Sequence, residues 1–131
     1  MQPQLSFITL AVDDLPRATV FYRDILQFKP RKISDTVVFF TFGALTLALY
    51  PREQLGQLAG LDVPSLGSAG FALSLNVPQV SDVDDLLSRA QAGGARITKS
   101  AATTSWGAYA GFFTDPDGHL WEVTWNPHFP C

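Results

Sequence analysis

The stretch Thr114-Asp-Pro-Asp-Gly-His-Leu-Trp-Glu-Val-Thr-Trp-Asn126 decides the fold of this chain. It contains Asp115–Gly118, a tight-turn sequence in which proline fixes φ at the second turn position and glycine tolerates a positive φ. Strand-like runs lie on both sides of this turn, Gly111–Thr114 before it and Leu120–Trp125 after it. The stretch therefore predicts a β-hairpin.

The second strand of this hairpin carries one carboxylate, Glu122. Because successive side chains on a strand point to opposite faces, Glu122 shares a face with Leu120 and Thr124. The opposite face carries three apolar side chains that are expected to pack against a helix: Trp121, Val123 and Trp125. Glu122 is therefore expected to face whatever the other surface of the sheet encloses.

Composition and length limit the classes of protein to consider. The chain has 131 residues, of which 47% are hydrophobic and 16% charged, with a net charge of −3. These values are typical of one globular domain with a real core. No basic stripe and no long apolar run is present, so neither nucleic acid nor a membrane is an expected partner. The segment Met1–Leu5 lacks signal-peptide features, so a cytoplasmic location is expected. The single cysteine, Cys131, is expected to be neither a nucleophile nor a disulfide partner.

The first half of the chain indicates one strand, one helix and a hairpin. Leu5–Val12 alternates in the way typical of a strand with one face on a core. A helix is predicted from an N-cap at Asp14 to about Gln27, since apolar side chains recur at helical spacing. Two later runs are predicted to pair across Gly43-Ala44: Val37–Phe42 and Leu45–Tyr50. Residues 51–68 are predicted to be a linker with about one helical turn.

The second half repeats this pattern, and Leu10–Val12 matches Leu75–Val77. It predicts a strand over 70–77, a helix capped by Ser81 or Asp82 that ends at Gly93, and three more strands: 96–99, 108–114 and 120–125. Two such units are expected to place helices outside a curved sheet that surrounds a cavity. Alternation predicts which side chains face that cavity: Phe7, Thr9, Ala11, Ala72, Ser74, Asn76, Leu120, Glu122 and Thr124.

The chain resembles the vicinal oxygen chelate superfamily, also called the glyoxalase, bleomycin-resistance and dioxygenase family. Four segments carry the resemblance: Leu10–Leu15 leading to Phe21-Tyr22, Gly93–Ala95, Trp106-Gly107 and Phe113–Glu122. The resemblance implies one α+β domain over 1–131, built of paired βαβββ modules at about 1–55 and 68–128. It implies a cup-shaped curved sheet with helices outside. It also implies a homodimer, in some members with sites shared between subunits.

In metal-dependent members of this family, the ligands come from the first and last strands of each module. Carried over to this sequence, those positions fall on Phe7, near Leu47, on Ala72 and on Glu122. Only Glu122 is a ligand-type residue, whereas a divalent ion takes three or more protein donors. We therefore expect no metal at this site and no cofactor. The remaining imidazoles and carboxylates are expected to be turn, tail or helix-cap residues: His119, His128, Asp115, Asp117, Asp13 and Asp14.

Two roles remain open for Glu122. It is either an acid satisfied by neighbouring polar groups or a recognition or acid/base group. The candidate polar neighbours are Thr9, Ser74, Asn76 and Thr124. Trp106 is either a stacking platform beside a possible lid at 100–105 or a core residue. The predicted ligand-binding set is Phe7, Thr9, Leu47, Tyr50, Ala72, Ser74, Trp106, Tyr109 and Glu122.

Two functions follow from these alternatives. The first is a metal-independent protein that encloses an apolar or aromatic small molecule, as drug-sequestering relatives do. The second is a glyoxalase-like lyase, or another enzyme, that uses Glu122 as an acid/base or as a metal ligand. The sequence does not name the ligand.

Overall fold

A computed structural model describes residues 5–66 and 71–128. The chain divides into two compact units, Met1–Ser68 and Ala69–Cys131. Each unit contains a strand, a helix and three further strands, so the predicted α+β class and the paired βαβββ modules are confirmed. Cys131 lies outside the described residues. Among the described helices, none is long and apolar enough to cross a membrane.

The first unit contains a four-stranded mixed sheet. Its elements are β1 (Phe7–Val12), α1 (Leu15–Val20), a π-helical segment (Phe21–Ile25), β2 (Pro30–Ile33), β3 (Val38–Phe42), β4 (Leu45–Pro51), α2 (Arg52–Ala59) and α3 (Val63–Leu66). The strand order is β1-β4-β3-β2, with β1 parallel to β4 and the other pairs antiparallel.

The second unit has the same strand arrangement. Its elements are β5 (Leu73–Asn76), α4 (Val80–Ala92), β6 (Arg96–Thr103), β7 (Tyr109–Thr114) and β8 (Leu120–Trp125). The strand order is β5-β8-β7-β6, with β5 parallel to β8. The two other strand pairs are antiparallel.

The predicted start and core of the first helix are confirmed. The Asp14 carboxylate accepts a hydrogen bond of 3.0 Å from the backbone N–H of Arg17, which satisfies one of the free amides of the first turn. Tyr22 is fully buried, and its ring lies 5.5 Å from Phe28 and 6.0 Å from Phe40 between centroids. The helical segment formed by α1 and the π-helical turn therefore packs against one face of the first sheet.

The structure corrects two predictions in the first unit. β2 was not predicted, because its four side chains are all exposed and carry no apolar alternation. Residues 51–68 were predicted as a linker with about one turn, whereas α2 and α3 occupy much of this segment. Gly56 lies inside α2, where a Cβ would sit 2.6 Å from the carbonyl oxygen of Leu61.

Two further corrections concern the second unit. Helix α4 begins earlier than predicted, with Gln79 as the N-cap, and the Asp82 carboxylate accepts from the Gln79 backbone N–H at 3.0 Å. β6 continues to Thr103, and Ala102 pairs with Ala110 in the ladder. Most of the predicted lid at 100–105 is therefore strand.

The turn that positions Glu122 forms as predicted. The buried Asp115 carboxylate accepts hydrogen bonds from the backbone N–H groups of Asp117 (2.9 Å) and His119 (2.8 Å). Gly118 has a φ of +89°, a conformation that glycine adopts without steric cost. The turn therefore leads β7 directly into β8.

Candidate functional site

The two faces of the second sheet differ as predicted for β8. Trp121 is only 4% exposed, and its ring stacks on Phe113 at 6.4 Å between centroids. Val123 on the same face is fully buried, and α4 packs against β7 and β8. Alternation along the strand then places Glu122 on the face away from α4. We call this surface the open face of the second sheet.

Glu122 has a hydrogen-bond partner on the neighbouring strand. It lies opposite Ser74 of β5 on one side and Phe112 of β7 on the other. The Ser74 hydroxyl donates to Oε1 of Glu122 at 2.7 Å, a short distance typical of a bond to a carboxylate. The side chain is half-buried. This contact matches the first of the two roles, an acid satisfied by a neighbouring hydroxyl.

The remaining predicted residues of this open face flank that contact. Leu120 is half-buried, Thr124 is buried and Asn76 is exposed. Ala72 is exposed and precedes β5, two residues before Ser74. The open face therefore combines one carboxylate with small polar and apolar side chains.

Tyr109, which was predicted to bind a ligand, contacts helix α4. Its hydroxyl donates a 2.7 Å hydrogen bond to the Asp84 carboxylate of α4. This hydrogen bond favours the protonated phenol and raises the pKa of Tyr109 above its ordinary value. Tyr109 pairs with Trp125 and so belongs to the helix-facing side of the sheet. Its side chain is therefore not on the face that carries Glu122.

Trp106 lies in the turn between β6 and β7. The turn is closed by the backbone N–H of Thr104, which donates to the carbonyl of Ala108 at 2.7 Å. The N–H of Ala108 donates in return to the Thr104 hydroxyl at 3.0 Å. Trp106 is 61% exposed, so it is not a core residue of its unit. Its role as a stacking platform stays a prediction.

The first sheet also has an open face. Phe7 is about half exposed, and its ring meets the edge of Phe39 at 5.7 Å between centroids. Thr9 follows two residues later on the same face and pairs with Ala48 of β4. Aromatic and small side chains thus dominate this part of the surface.

The register of β4 corrects the position of Leu47. Leu47 pairs with Ile8 and with Phe40, is only 3% exposed, and therefore lies on the helix-facing side. Thr9 pairs with Ala48 as Ser74 pairs with Glu122, so Ala48 is the counterpart of Glu122 in the first unit. The side chain of Ala48 is a methyl group, which has no atom that can bind a metal.

The donor set does not fit a divalent metal ion. At the positions implied by the family resemblance, Phe7, Ala48 and Ala72 offer carbon, and Glu122 alone offers oxygen. Within residues 5–66 and 71–128, no group of three or more His, Cys, Asp or Glu side chains is arranged to hold a metal ion. His128 is exposed in the tail, as predicted.

Tyr50 lies at the end of β4 and lines a cleft of about 420 Å³ in the first unit. Gln54 of α2 lines the same cleft and was missed, because its segment was interpreted as a linker. A signal was present in the sequence. Pro51 precedes the helix, Glu53 lies in its first turn, and Gly60 ends it with a φ of +73°.

The two βαβββ units are the architecture of one class of protein. The chain belongs to the Glyoxalase/Bleomycin resistance protein/Dioxygenase superfamily, whose family model matches residues 4–123. This match confirms the resemblance that the sequence motifs carry.

Three relatives show how close this relationship is. Metallothiol transferase FosB of Staphylococcus saprophyticus subsp. saprophyticus is 27% identical over 128 residues, covering 94% of this chain and 77% of that protein. The crystal structure of a glyoxalase-related enzyme from Fulvimarina pelagi superposes with a TM-score of 0.92 at 29% identity, covering 98% of this chain and 92% of that chain. A glyoxalase/bleomycin resistance protein/dioxygenase family enzyme from Burkholderia phytofirmans PsJN has a TM-score of 0.82 at 21% identity, covering 93% and 98%. The last comparison supports the fold alone.

Proposed function

We propose that this chain is a metal-independent protein of the glyoxalase/bleomycin resistance type that binds an apolar or aromatic small molecule. The observation that carries the proposal is the donor set. Three of the four positions that correspond to family metal ligands hold Phe7, Ala48 and Ala72. Because carbon has no lone pair to offer, one carboxylate alone would have to hold the ion.

The open faces provide the contacts that an apolar ligand needs. Phe7 presents a half-exposed ring on the first sheet, with Phe39 against it. On the second sheet, Phe112 and Leu120 are half-buried on the same face as Glu122. Small-molecule sites are typically apolar surfaces with a few polar groups that fix orientation. Under this proposal Glu122, already bonded to Ser74, orients a ligand and does not react with it.

The alternative is an enzyme of the family, either a glyoxalase-type lyase or another catalyst that uses Glu122. The name of the FosB relative, a metallothiol transferase, favours this alternative. An acid/base role would place the Glu122 carboxylate within hydrogen-bond reach of a substrate proton. The two proposals differ in what the carboxylate must do, so its replacement separates them.

The test is a titration with the neutral fluorescent dye N-phenyl-1-naphthylamine. Under the binding proposal, the wild type binds the dye saturably, and Glu122→Gln changes its affinity by less than about twofold, because an apolar dye makes no charge-dependent contact. Asp85→Asn, which neutralises one exposed carboxylate of α4, is the matched control for net charge. Absence of saturable binding contradicts the proposal. A catalytic activity that Glu122→Gln abolishes favours the enzyme.

We also propose that the chain forms a homodimer. Family resemblance is the support for this proposal. Light scattering coupled to gel filtration tests it, and a mass of a single chain at micromolar concentration contradicts it.

A further inference from the structure

The cleft beside Tyr50 in the first unit has an uncharged lining. It has a volume of about 420 Å³, within the range of small-molecule sites. Its walls come from the segment before β3, the end of β4 and one side of α2: Thr36, Val37, Tyr50, Gln54, Gln57 and Leu58. Because no lining side chain carries a formal charge, the cleft suits a neutral molecule and not an ion.

One atom in this lining lacks a partner. Oε1 of Gln54 is buried, and it accepts no hydrogen bond. Buried acceptors are almost always satisfied in folded proteins, so an exception suggests a missing donor. The last torsion of a glutamine side chain is broad, so the amide can turn toward a donor that enters the cleft. An N–H or O–H group of a molecule in the cleft would supply that donor.

The rest of the lining indicates the shape of that molecule. Tyr50 is half-buried and offers an aromatic ring, while Val37 and Leu58 add aliphatic surface. A flat aromatic molecule gains most from such walls, since ring–ring and ring–methyl contacts bury large areas. Thr36 and Gln57 supply further polar atoms at the margin.

We propose that this cleft is a binding subsite for a neutral, planar aromatic molecule that donates an N–H or O–H hydrogen bond to Gln54. The inference rests on the proposed function, namely that the chain binds an aromatic small molecule, and it narrows the ligand class. It does not involve Glu122, which lies in the other unit. The two proposals are therefore separable by mutation.

The test compares indole with 1-methylindole, which differ in the presence of one N–H donor. Backbone amide shifts of ¹⁵N-labelled protein are followed during titration with each compound. The wild type should bind indole about threefold to tenfold more tightly, the value of one net hydrogen bond. The largest shifts should fall on Thr36, Val37 and Gln57.

Two variants remove the acceptor, and one serves as the control. Gln54→Leu should bind both compounds equally, because leucine has no acceptor atom, and Gln54→Met should retain at most a small preference, because its thioether sulfur is a weak acceptor. Gln91→Leu, which changes an exposed glutamine of α4 outside the cleft, should keep the preference for indole. Both variants at position 54 are used, so that the test can still be made if one of them does not fold.

Each outcome separates the two proposals. Equal affinities for the two compounds in the wild type overturn the subsite, as does a preference that survives undiminished in Gln54→Leu or Gln54→Met. Binding with shifts confined to β5 and β8 overturns the subsite but leaves the proposed function standing. If neither compound nor the naphthylamine dye binds, the proposed function fails as well.

Discussion

Replacing Gln54 by leucine should stabilise the chain, because the buried Oε1 has no hydrogen-bond partner. A buried acceptor left unpaired costs about 1–3 kcal/mol. Glutamine and leucine have nearly equal helix propensities, so the change in α2 itself contributes little. Gln54 as a whole is only half-buried, so we expect the lower end of the range. The gain in unfolding free energy is then about 1 kcal/mol, or about 3–5 °C in melting temperature for a chain of this size.

Urea unfolding followed by tryptophan fluorescence measures this difference. Gln57→Leu is the matched control, since Gln57 lies on the same helix and is exposed. Its effect should stay within about 0.5 kcal/mol. If Gln54→Leu is no more stable than Gln57→Leu, then Oε1 finds a partner in solution and the reasoning about the cleft is wrong.

Two further predictions concern the second unit. Gly111→Ala should lower the free energy of unfolding in urea by about 1–3 kcal/mol. The reason is that a Cβ at this position would lie 2.5 Å from Cδ1 of Leu87 and 3.1 Å from the backbone nitrogen of Ala101 in β6. An unchanged free energy of unfolding would contradict the packing described. The hydrogen bond to Asp84 raises the pKa of the Tyr109 phenol in the folded protein. This hydrogen bond therefore contributes its full stability below the unfolded pKa of about 10, and the contribution is lost as the pH rises through the pKa of the folded protein. ¹³C-tyrosine NMR should show a lower Tyr109 pKa in Asp84→Asn, and equal values in both proteins would refute the contact.

The hairpin before Glu122 was predictable because its determinants are local. The Asp115 carboxylate bonds to backbone groups no more than four residues away, and Gly118 adopts a positive φ. A turn of this kind is determined by residues that are neighbours in the sequence. The strands on either side, and their alternation, followed from the same stretch.

The missed strand β2 depends on contacts that the sequence does not display, whereas the signals for α2 were present but weak. β2 is an edge strand held by its backbone pairing with β3, and Pro30–Ile33 shows no apolar alternation. Residues 51–68 were interpreted as a linker, yet Gly56 lies within α2, where the chain packs so closely on Leu61 that a side chain would clash. The pairing of β2 is tertiary in origin, whereas the Gly56–Leu61 contact is local to the end of α2.

The candidate site was predicted in part. The face of Glu122 and its Ser74 neighbour followed from strand alternation. Leu47 was misplaced because the modules were aligned through their turns, and a slip of one residue moves a side chain to the opposite face of the sheet. The contact of Tyr109 with Asp84 was not predicted, because it joins residues that are far apart in sequence. The missing hydrogen-bond partner of Gln54 Oε1 was not predictable, because it depends on how the side chains pack.

Metal content tests directly whether the site lacks the donors for a divalent ion. Protein produced in medium supplemented with Ni, Zn, Mn and Fe is purified without chelators and analysed by inductively coupled plasma mass spectrometry. We predict each metal well below one ion per chain, and dye binding that EDTA leaves unchanged, because Phe7, Ala48 and Ala72 cannot ligate a metal. One ion per chain in the wild type, lost in Glu122→Gln, would contradict the claim.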